Sequence, residues 1–277
     1  MRFLKTYAAF AGGGKGRVCV LAIERRNRIL TILREERHVV VSELAKVFDV
    51  SEETIRRDLD KLEKEGHVVK TYGGAVISEG SEAELPYVIR KKANVEAKQK
   101  IADLAADLIM DGDTLILDAS STAVFIAQKI KSKKEITLIT NSIEVLMELS
   151  DVTGWKILST GGTLKERSCA LVGSEAEESL SRFHVDKAFI SCKGVDPRHG
   201  FSDSSDMHAA VKRKMLQAAS QIFFAVDSSK FDKISFTSVS GFSGVDAVIT
   251  ERAPDAAWSE LFAANGVECL YPEGVEK

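Results

Sequence analysis

Residues Ser42–Leu59, SELAKVFDVSEETIRRDL, decide how the rest of the chain is read. Ser42 is a good N-cap for a first helix that carries Leu44, Ala45, Val47 and Phe48 inward, and Asp49-Val50-Ser51 closes that helix and caps the next. At about 100° per residue, Ile55, Leu59 and Leu62 of the second helix share one apolar sector while Glu53, Arg57, Lys61 and Lys64 lie opposite. Two short helices joined by a tight corner make a helix-turn-helix, whose second helix enters the major groove of a DNA duplex. Thr54 and Arg57, outward near its N-terminus, are the candidates for base edges, and Ser51, Arg56 and Lys61 are placed to hold phosphates. A charged surface helix in an ordinary bundle would carry similar charges, so the flanking sequence decides. After Gly66 comes the β-prone run His67–Thr71, then Tyr72-Gly73-Gly74, then Ala75-Val76-Ile77, two strands around a glycine turn. Helix-turn-helix followed by a hairpin is a winged helix, in which Lys70 and Tyr72 meet the sugar-phosphate backbone. On the other side, Ala22 to about Arg37 forms a supporting helix with Ile23, Ile29, Leu30 and Leu33 inward.

A chain of 277 residues has room for two domains. With 44% hydrophobic and 29% charged residues it has the composition of a globular protein. No apolar run approaches the roughly 20 residues that span a bilayer. The net charge of -3 gives no global pull toward DNA. Ala22–Ile77 itself balances 11 Lys and Arg against 11 Asp and Glu, so binding must come from arrangement rather than excess. Cys19, Cys169, Cys192 and Cys269 are scattered and form no CxxC pair, which suits free thiols in the cytoplasm. The five histidines lack metal-ligand spacing; neither metal nor cofactor is implied.

Residues 1–21 are read as a non-native or disordered leader. The run Gly12-Gly13-Gly14-Lys15-Gly16-Arg17 lacks the apolar core of a signal peptide and suits a translated ribosome-binding site, with Val18 or Val20 as initiator. The winged helix is expected over 22–77, a polar linker over 78–86, and an α/β domain over 87–277. In that last region helix Val95–Met110 leads to strand Thr114–Leu117. Strands Ile136–Ile139, Trp155–Leu158, Lys187–Ser191, Ile222–Val226 and Ala247–Ile249 alternate with helices through Leu149, near Ser174–Arg182 and near Met207–Ala219. Such alternation predicts a mostly parallel sheet with helices on both faces.

Ligands of such sheets bind outside the carboxyl ends of the strands. Asp118, Ser120, Ser121 and Thr122, then Thr140 and Asn141, then Gly161 and Gly162 gather there. Ser-Ser-Thr opening a helix offers hydroxyls and unpaired N–H groups at the positive end of the dipole, a seat for phosphate. Lys193, Lys212, Asp227 and Lys230 supply further charge, although a lone lysine is more often simply solvated.

Arg25, Ile29 and Leu33, followed by Ser51, Thr54, Ile55, Arg56, Arg57, Asp58 and Leu59, resemble the N-terminal pattern of the DeoR-type bacterial transcriptional regulators. The resemblance continues through Leu117-Asp118-Ala119-Ser120-Ser121-Thr122, Thr140-Asn141-Ser142, Gly161-Gly162, Leu171-Val172-Gly173, Lys193-Gly194-Val195-Asp196, Val211-Lys212-Arg213 and Asp227-Ser228-Ser229-Lys230, covering about Glu24 to Glu251. It implies a C-terminal domain similar in fold to sugar-phosphate isomerases. It also implies repression of a carbohydrate-utilisation operon relieved by a phosphorylated sugar, with double-stranded operator DNA as partner and no catalysis. Two positions depart from the family pattern: Ser120 stands where the family usually has Gly, and Met207-His208-Ala209 replaces an acidic pair followed by Ala. Symmetric operators and symmetric oligomers together predict a homodimer or higher even assembly. A sugar-phosphate isomerase with a DNA-binding appendage is the rival reading, with Asp118 or Asp227 as base, and an architectural DNA binder without a ligand is the third.

Overall fold

A computed structural model describes residues 21–36, 38–64, 68–77 and 87–272. The chain divides into two compact units, Met1–Ala83 and Glu84–Lys277. The expected leader, apart from Leu21, and the expected linker over 78–86 lie outside the described residues.

In the first unit α1 (Ala22–Glu36), β1 (His38–Val40), α2 (Val41–Phe48) and α3 (Glu52–Lys64) precede β2 (Val68–Thr71) and β3 (Gly74–Ile77). Ile29, Leu33, Leu44, Phe48, Ile55, Leu59 and Leu62 form one core with Val39, Val68 and Ala75. Ile23 is exposed rather than inward, because the helical face that buries Ile29, Ile32 and Leu33 takes Arg25 one turn earlier. Ser42 is not the cap of α2. The helix starts at Val41 after an extended Val40 that offers no side-chain bond, and the free Val41 N–H donates instead to Gly73 O at 2.8 Å. Asp49 closes α2 in the left-handed region, and Ser51 Oγ caps α3 by accepting from Thr54 N–H at 3.2 Å. Strand β1 was not foreseen; it pairs antiparallel with β3, giving the order β1-β3-β2. Gly74 makes this possible, since a Cβ there would sit 2.0 Å from Val39 O.

The second unit opens with α4 (Tyr87–Lys92) and α5 (Val95–Asp107), then runs β4 (Thr114–Leu117), α6 (Ser121–Lys129), β5 (Thr137–Thr140), α7 (Ile143–Glu148) and β6 (Lys156–Ser159). A hairpin of β7 (Thr163–Lys165) and β8 (Ala170–Val172) follows, then α8 (Ser174–Leu180), β9 (Val185–Ile190), β10 (Gly194–Asp196), β11 (Gly200–Asp203), α9 (Asp206–Ala218) and β12 (Ala219–Ala225). After β13 (Thr237–Ser240) and β14 (Ala247–Ile249), the chain finishes with α10 (Ala256–Ala264) and β15 (Glu268–Leu270). Seven strands form one sheet in the order β15-β14-β12-β9-β4-β5-β6, every pair parallel. Residues of α5, α6 and α7 pack on one face and those of α8, α9 and α10 on the other. Helix α4, the β7-β8 hairpin, the small sheet β10-β11-β13, α10 and β15 were not anticipated. The winding steps outward from β4 to β5 to β6, then returns to place β9 on the other side of β4. That reversal is a topological switch point, the place at which sheets of this kind form their ligand crevice, at the carboxyl ends of β4 and β9.

Candidate functional site

Helix α3 turns Ile55, Asp58, Leu59 and Leu62 inward and leaves Glu52, Glu53, Arg56, Arg57 and Lys61 exposed. Asp58 is 4% exposed. Its Oδ2 accepts from Arg25 Nε at 2.5 Å and its Oδ1 from Arg26 at 3.4 Å. This pins α1 to the back of α3 and explains an acid whose role the sequence left open. On the outer side Arg56 meets Glu52 at 2.8 Å and Arg57 meets Glu53 at 3.4 Å. Exposed pairs of this spacing contribute only about 0.3–0.5 kcal/mol, so either guanidinium is readily exchanged onto a phosphate or base. Lys61 has no ion pair among the described residues. The hydroxyls of Ser51 and Thr54 lie 2.9 Å apart and are engaged with each other at the start of the helix. Lys70 sits beside α3, its Nζ 2.5 Å from Asp60 and 3.6 Å from Glu63; the hydrogen bond it donates to Asp60 raises its pKa. Tyr72 is fully exposed at the hairpin turn.

In the second unit the β4/β9 crevice is floored by a buried charged triad. Asp118 Oδ1 accepts from Ser120 N–H and Oδ2 from Ser191 N–H, both at 3.1 Å. Lys212 Nζ donates to Ser191 O and to Asp203 Oδ2, both at 2.6 Å, and stands 3.3 Å from Asp118. Burial alone would drive the ammonium toward neutrality, but the charges of Asp203 and Asp118 outweigh it and the pKa rises. Burial likewise pushes the Asp203 carboxyl up, and Lys212 more than reverses it. Lys212 thus makes two hydrogen bonds and one further ionic contact inside the protein. Lys212, which sequence reading placed against a ligand, fastens α9 to the sheet, with Asp203 and Asp118 as its counter-ions.

Thr140 is also internal: its hydroxyl donates to Leu117 O at 2.6 Å and accepts from Ser142 N–H at 3.1 Å, tying β5 to β4. Gly162, at φ 102°, is required by the returning hairpin, since a Cβ would fall 2.7 Å from Val172 O. Gly161 is exposed at φ 68°. Ser120 Oγ accepts from Ala123 N–H at 3.0 Å, so the serine that replaces the family's usual glycine is the N-cap of α6.

What stays unpartnered is the first turn of α6, with Ser121 6% and Thr122 3% exposed. The side chains of Ser121 and Thr122 have no partner among the described residues, and their N–H groups precede the first intrahelical bond. Asn141 is 3% exposed. Its Nδ2 donates to Leu171 O at 2.9 Å, while its Oδ1 is buried without a hydrogen bond. Asp227 Oδ1 accepts from Asn94 Nδ2 at 3.0 Å, from Ser229 N–H at 3.1 Å and from Ser229 Oγ. Burial raises the Asp227 pKa, and the Lys230 charge with the Ser229 bonds brings it below the ordinary value. Lys193 is half-buried and lowers the pKa of Asp203. Met207 is exposed and His208 buried in the first turn of α9, and Asp203 at the end of β11 supplies acid nearby. Sequence reading missed Asp203 and Asn94; neither lies in a pattern that marks it, and both are recruited by partners distant in the chain.

A winged helix with an arginine-bearing outer face, continued by a parallel α/β body with a polar crevice at its switch point, defines a DNA-binding transcriptional regulator with its own sensor. Residues 25–80 match the DeoR-like helix-turn-helix domain and residues 93–252 the DeoR C terminal sensor domain. The chain belongs to the DeoR family. It is 41% identical to the uncharacterized HTH-type transcriptional regulator YulB of Bacillus subtilis, over 86% of this chain and 92% of that one. It is 38% identical to the HTH-type transcriptional repressor GlcR of the same organism, over 90% and 96%. With the L-fucose operon activator of Haemophilus influenzae it shares 34% over 83% and 93%. Among solved structures, ribose 5-phosphate isomerase A from Methanocaldococcus jannaschii superposes over 50% of this chain and 55% of that one, with TM-score 0.37 and 19% identity.

Proposed function

We propose that the protein represses a carbohydrate-utilisation operon and leaves its operator when a phosphorylated sugar occupies the β4/β9 crevice. The single observation that supports this most is the unengaged first turn of α6 beside a floor whose charges are already satisfied. The phosphate is seated on the Ser121 and Thr122 hydroxyls and N–H groups, at the positive end of the α6 dipole. Lys193 and Lys230 offset its charge, and the buried Asn141 Oδ1 and Asp227 receive sugar hydroxyls. Asp118, Ser120, Thr140, Gly162 and Lys212 hold the frame, with Gly161 at its edge. Against the isomerase reading, a general base must reach the proton it abstracts, and Asp118 is held by Lys212 and two amides.

On the DNA side Arg57 and Thr54 meet bases while Ser51, Arg56, Lys61, Lys70 and Tyr72 meet the backbone. Lys70 must first leave Asp60. The working form is a homodimer or higher even assembly in the cytoplasm. This rests on operator symmetry and scattered thiols, and among the described residues no helix is long and apolar enough to cross a membrane. A thermal-shift screen with sugar phosphates tests the sensor, because a ligand bound only to the native state adds stability by mass action. Stabilisation in the wild type that Thr122→Ala loses supports the seat; an equal shift in both places the ligand elsewhere.

A further inference from the structure

The first helix of the second unit buries Tyr87 in the core and is otherwise fastened by polar bonds to the β7-β8 turn, to α5 and to α7. Helix α4 has six residues, too few to stand alone in water. Tyr87 N–H donates to Arg167 O at 2.7 Å and Arg90 to Ser168 O at 3.3 Å, both in the β7-β8 turn. Lys91 pairs with Glu144 at 3.3 Å. The carbonyls of Arg90 and Ala93 are closed by Lys98 Nζ, at 2.5 Å each. Asn94 then reaches across to Asp227 Oδ1 at 3.0 Å and Ser229 Oγ at 3.3 Å.

Three residues of this assembly, Asn94, Arg167 and Cys169, adopt left-handed backbone at φ 50°, 62° and 55°. Non-glycine residues persist there only when surrounding bonds over-determine them. The same turn also faces the crevice, for Lys165 Nζ donates to Ser205 Oγ, the N-cap of α9, which carries Lys212. Segment 87–94 is thus docked on the left-handed β7-β8 turn and tied through Asn94 to Asp227.

We infer that α4 and Asn94 form the transmission arm of the sensor: a sugar hydroxyl that takes Asp227 displaces Asn94 and undocks the helix leading back toward the winged helix. The inference rests on the effector reading above. A ligand shifts such an equilibrium only through unequal affinity for the two states. Here the inequality is competition for one carboxylate oxygen, which already serves three donors.

Asn94→Gly tests the arm in the full chain, since glycine keeps the left-handed backbone while deleting both bonds. Without ligand, the variant should bind a duplex selected by the wild type from a random pool ~5-fold or more weakly, within the usual range of allosteric couplings. Amides of 87–92 should exchange faster. Any of glucose 6-phosphate, fructose 6-phosphate or ribose 5-phosphate that stabilises the wild type should bind the variant more tightly by a similar factor, because coupling is reciprocal. Unchanged DNA affinity with unchanged exchange at 87–92 overturns the inference, whatever the sugars do. Failure of all three probes to shift wild-type melting counts against the sugar-phosphate reading alone, and the ligand-free comparison still decides the arm.

Discussion

Asp58→Leu removes the carboxylate that Arg25 and Arg26 share behind the recognition helix. Arg25 is 7% exposed and its Nε lies 2.5 Å from Asp58, so the variant breaks a buried ion pair and takes this carboxylate from the guanidinium. Breaking a buried pair in this way costs about 3–5 kcal/mol. A winged helix of roughly sixty residues has only about 3–9 kcal/mol to lose, at ~0.05–0.15 kcal/mol per residue. Arg26, more exposed and 3.4 Å from the acid, swings to water at little cost and does not rescue the site. Circular dichroism and calorimetry on the full chain should show the N-terminal transition lowered by on the order of 20 °C, with the transition of the second unit unmoved. Asp58→Leu combined with Arg25→Met should recover to within about 1 kcal/mol of wild type, because a packed apolar pair replaces a buried ionic one at little net cost. A single variant that loses less than ~1 kcal/mol, or a double variant no better than the single, would refute the account of α1 fastened to α3 by this pair.

Arg57→Ala should leave melting unchanged, since its pair with Glu53 is exposed. It should weaken DNA binding by about 1–3 kcal/mol if the contact is to a base, whereas Arg56→Ala and Lys61→Ala should instead lower the salt slope by about 1 each; filter binding at several salt concentrations separates these. Lys212→Met should lower the melting of the second unit by ~3–5 kcal/mol, because it leaves Asp118 and Asp203 buried without compensation. A variant that melts like wild type but ignores the effector would restore Lys212 to the ligand. Asp203 and Asp227 both lie below the ordinary 3.8 in the native state, so the unfolded chain takes up their protons first. Their stabilisation is complete above 3.8 and is lost as pH falls below it. Urea midpoints of the second unit, measured from pH 5 to pH 3, should fall in that window, and midpoints that stay level would contradict the assignment.

The recognition helix was legible because a 3.6-residue period separates Ile55, Leu59 and Leu62 from Arg57 and Lys61 within thirteen residues, and local spacing carries all the information. The parallel strands other than β15 were legible for a similar reason, each a short apolar run closed by polar residues. Their order was not. Pairing of Ile116 with Ala188 joins residues far apart in the chain, and no local pattern records it. The candidate site divides along the same line. The helix start at Ser121 and Thr122 could be read because it is local, whereas the internal bonds of Lys212, Asp118 and Thr140 depend on partners supplied by other elements. Ser42 was misread as a cap because the true partner of that helix start is the carbonyl of Gly73, in a hairpin 32 residues onward. Strand β1 is three residues long, too short for alternation to register.

The close approach of Gly74 to Val39, together with the bond from Val41 to Gly73, joins the hairpin to the front of the helix-turn-helix as a single mechanical piece. Pressure on Tyr72 at its tip is delivered through β3 and β1 to α2, and from there to the corner that aims α3. In the docking proposed above, a duplex that fits the wing badly would push on that piece and shift α3 with it, so groove shape at the wing and base contacts at the helix would be read together.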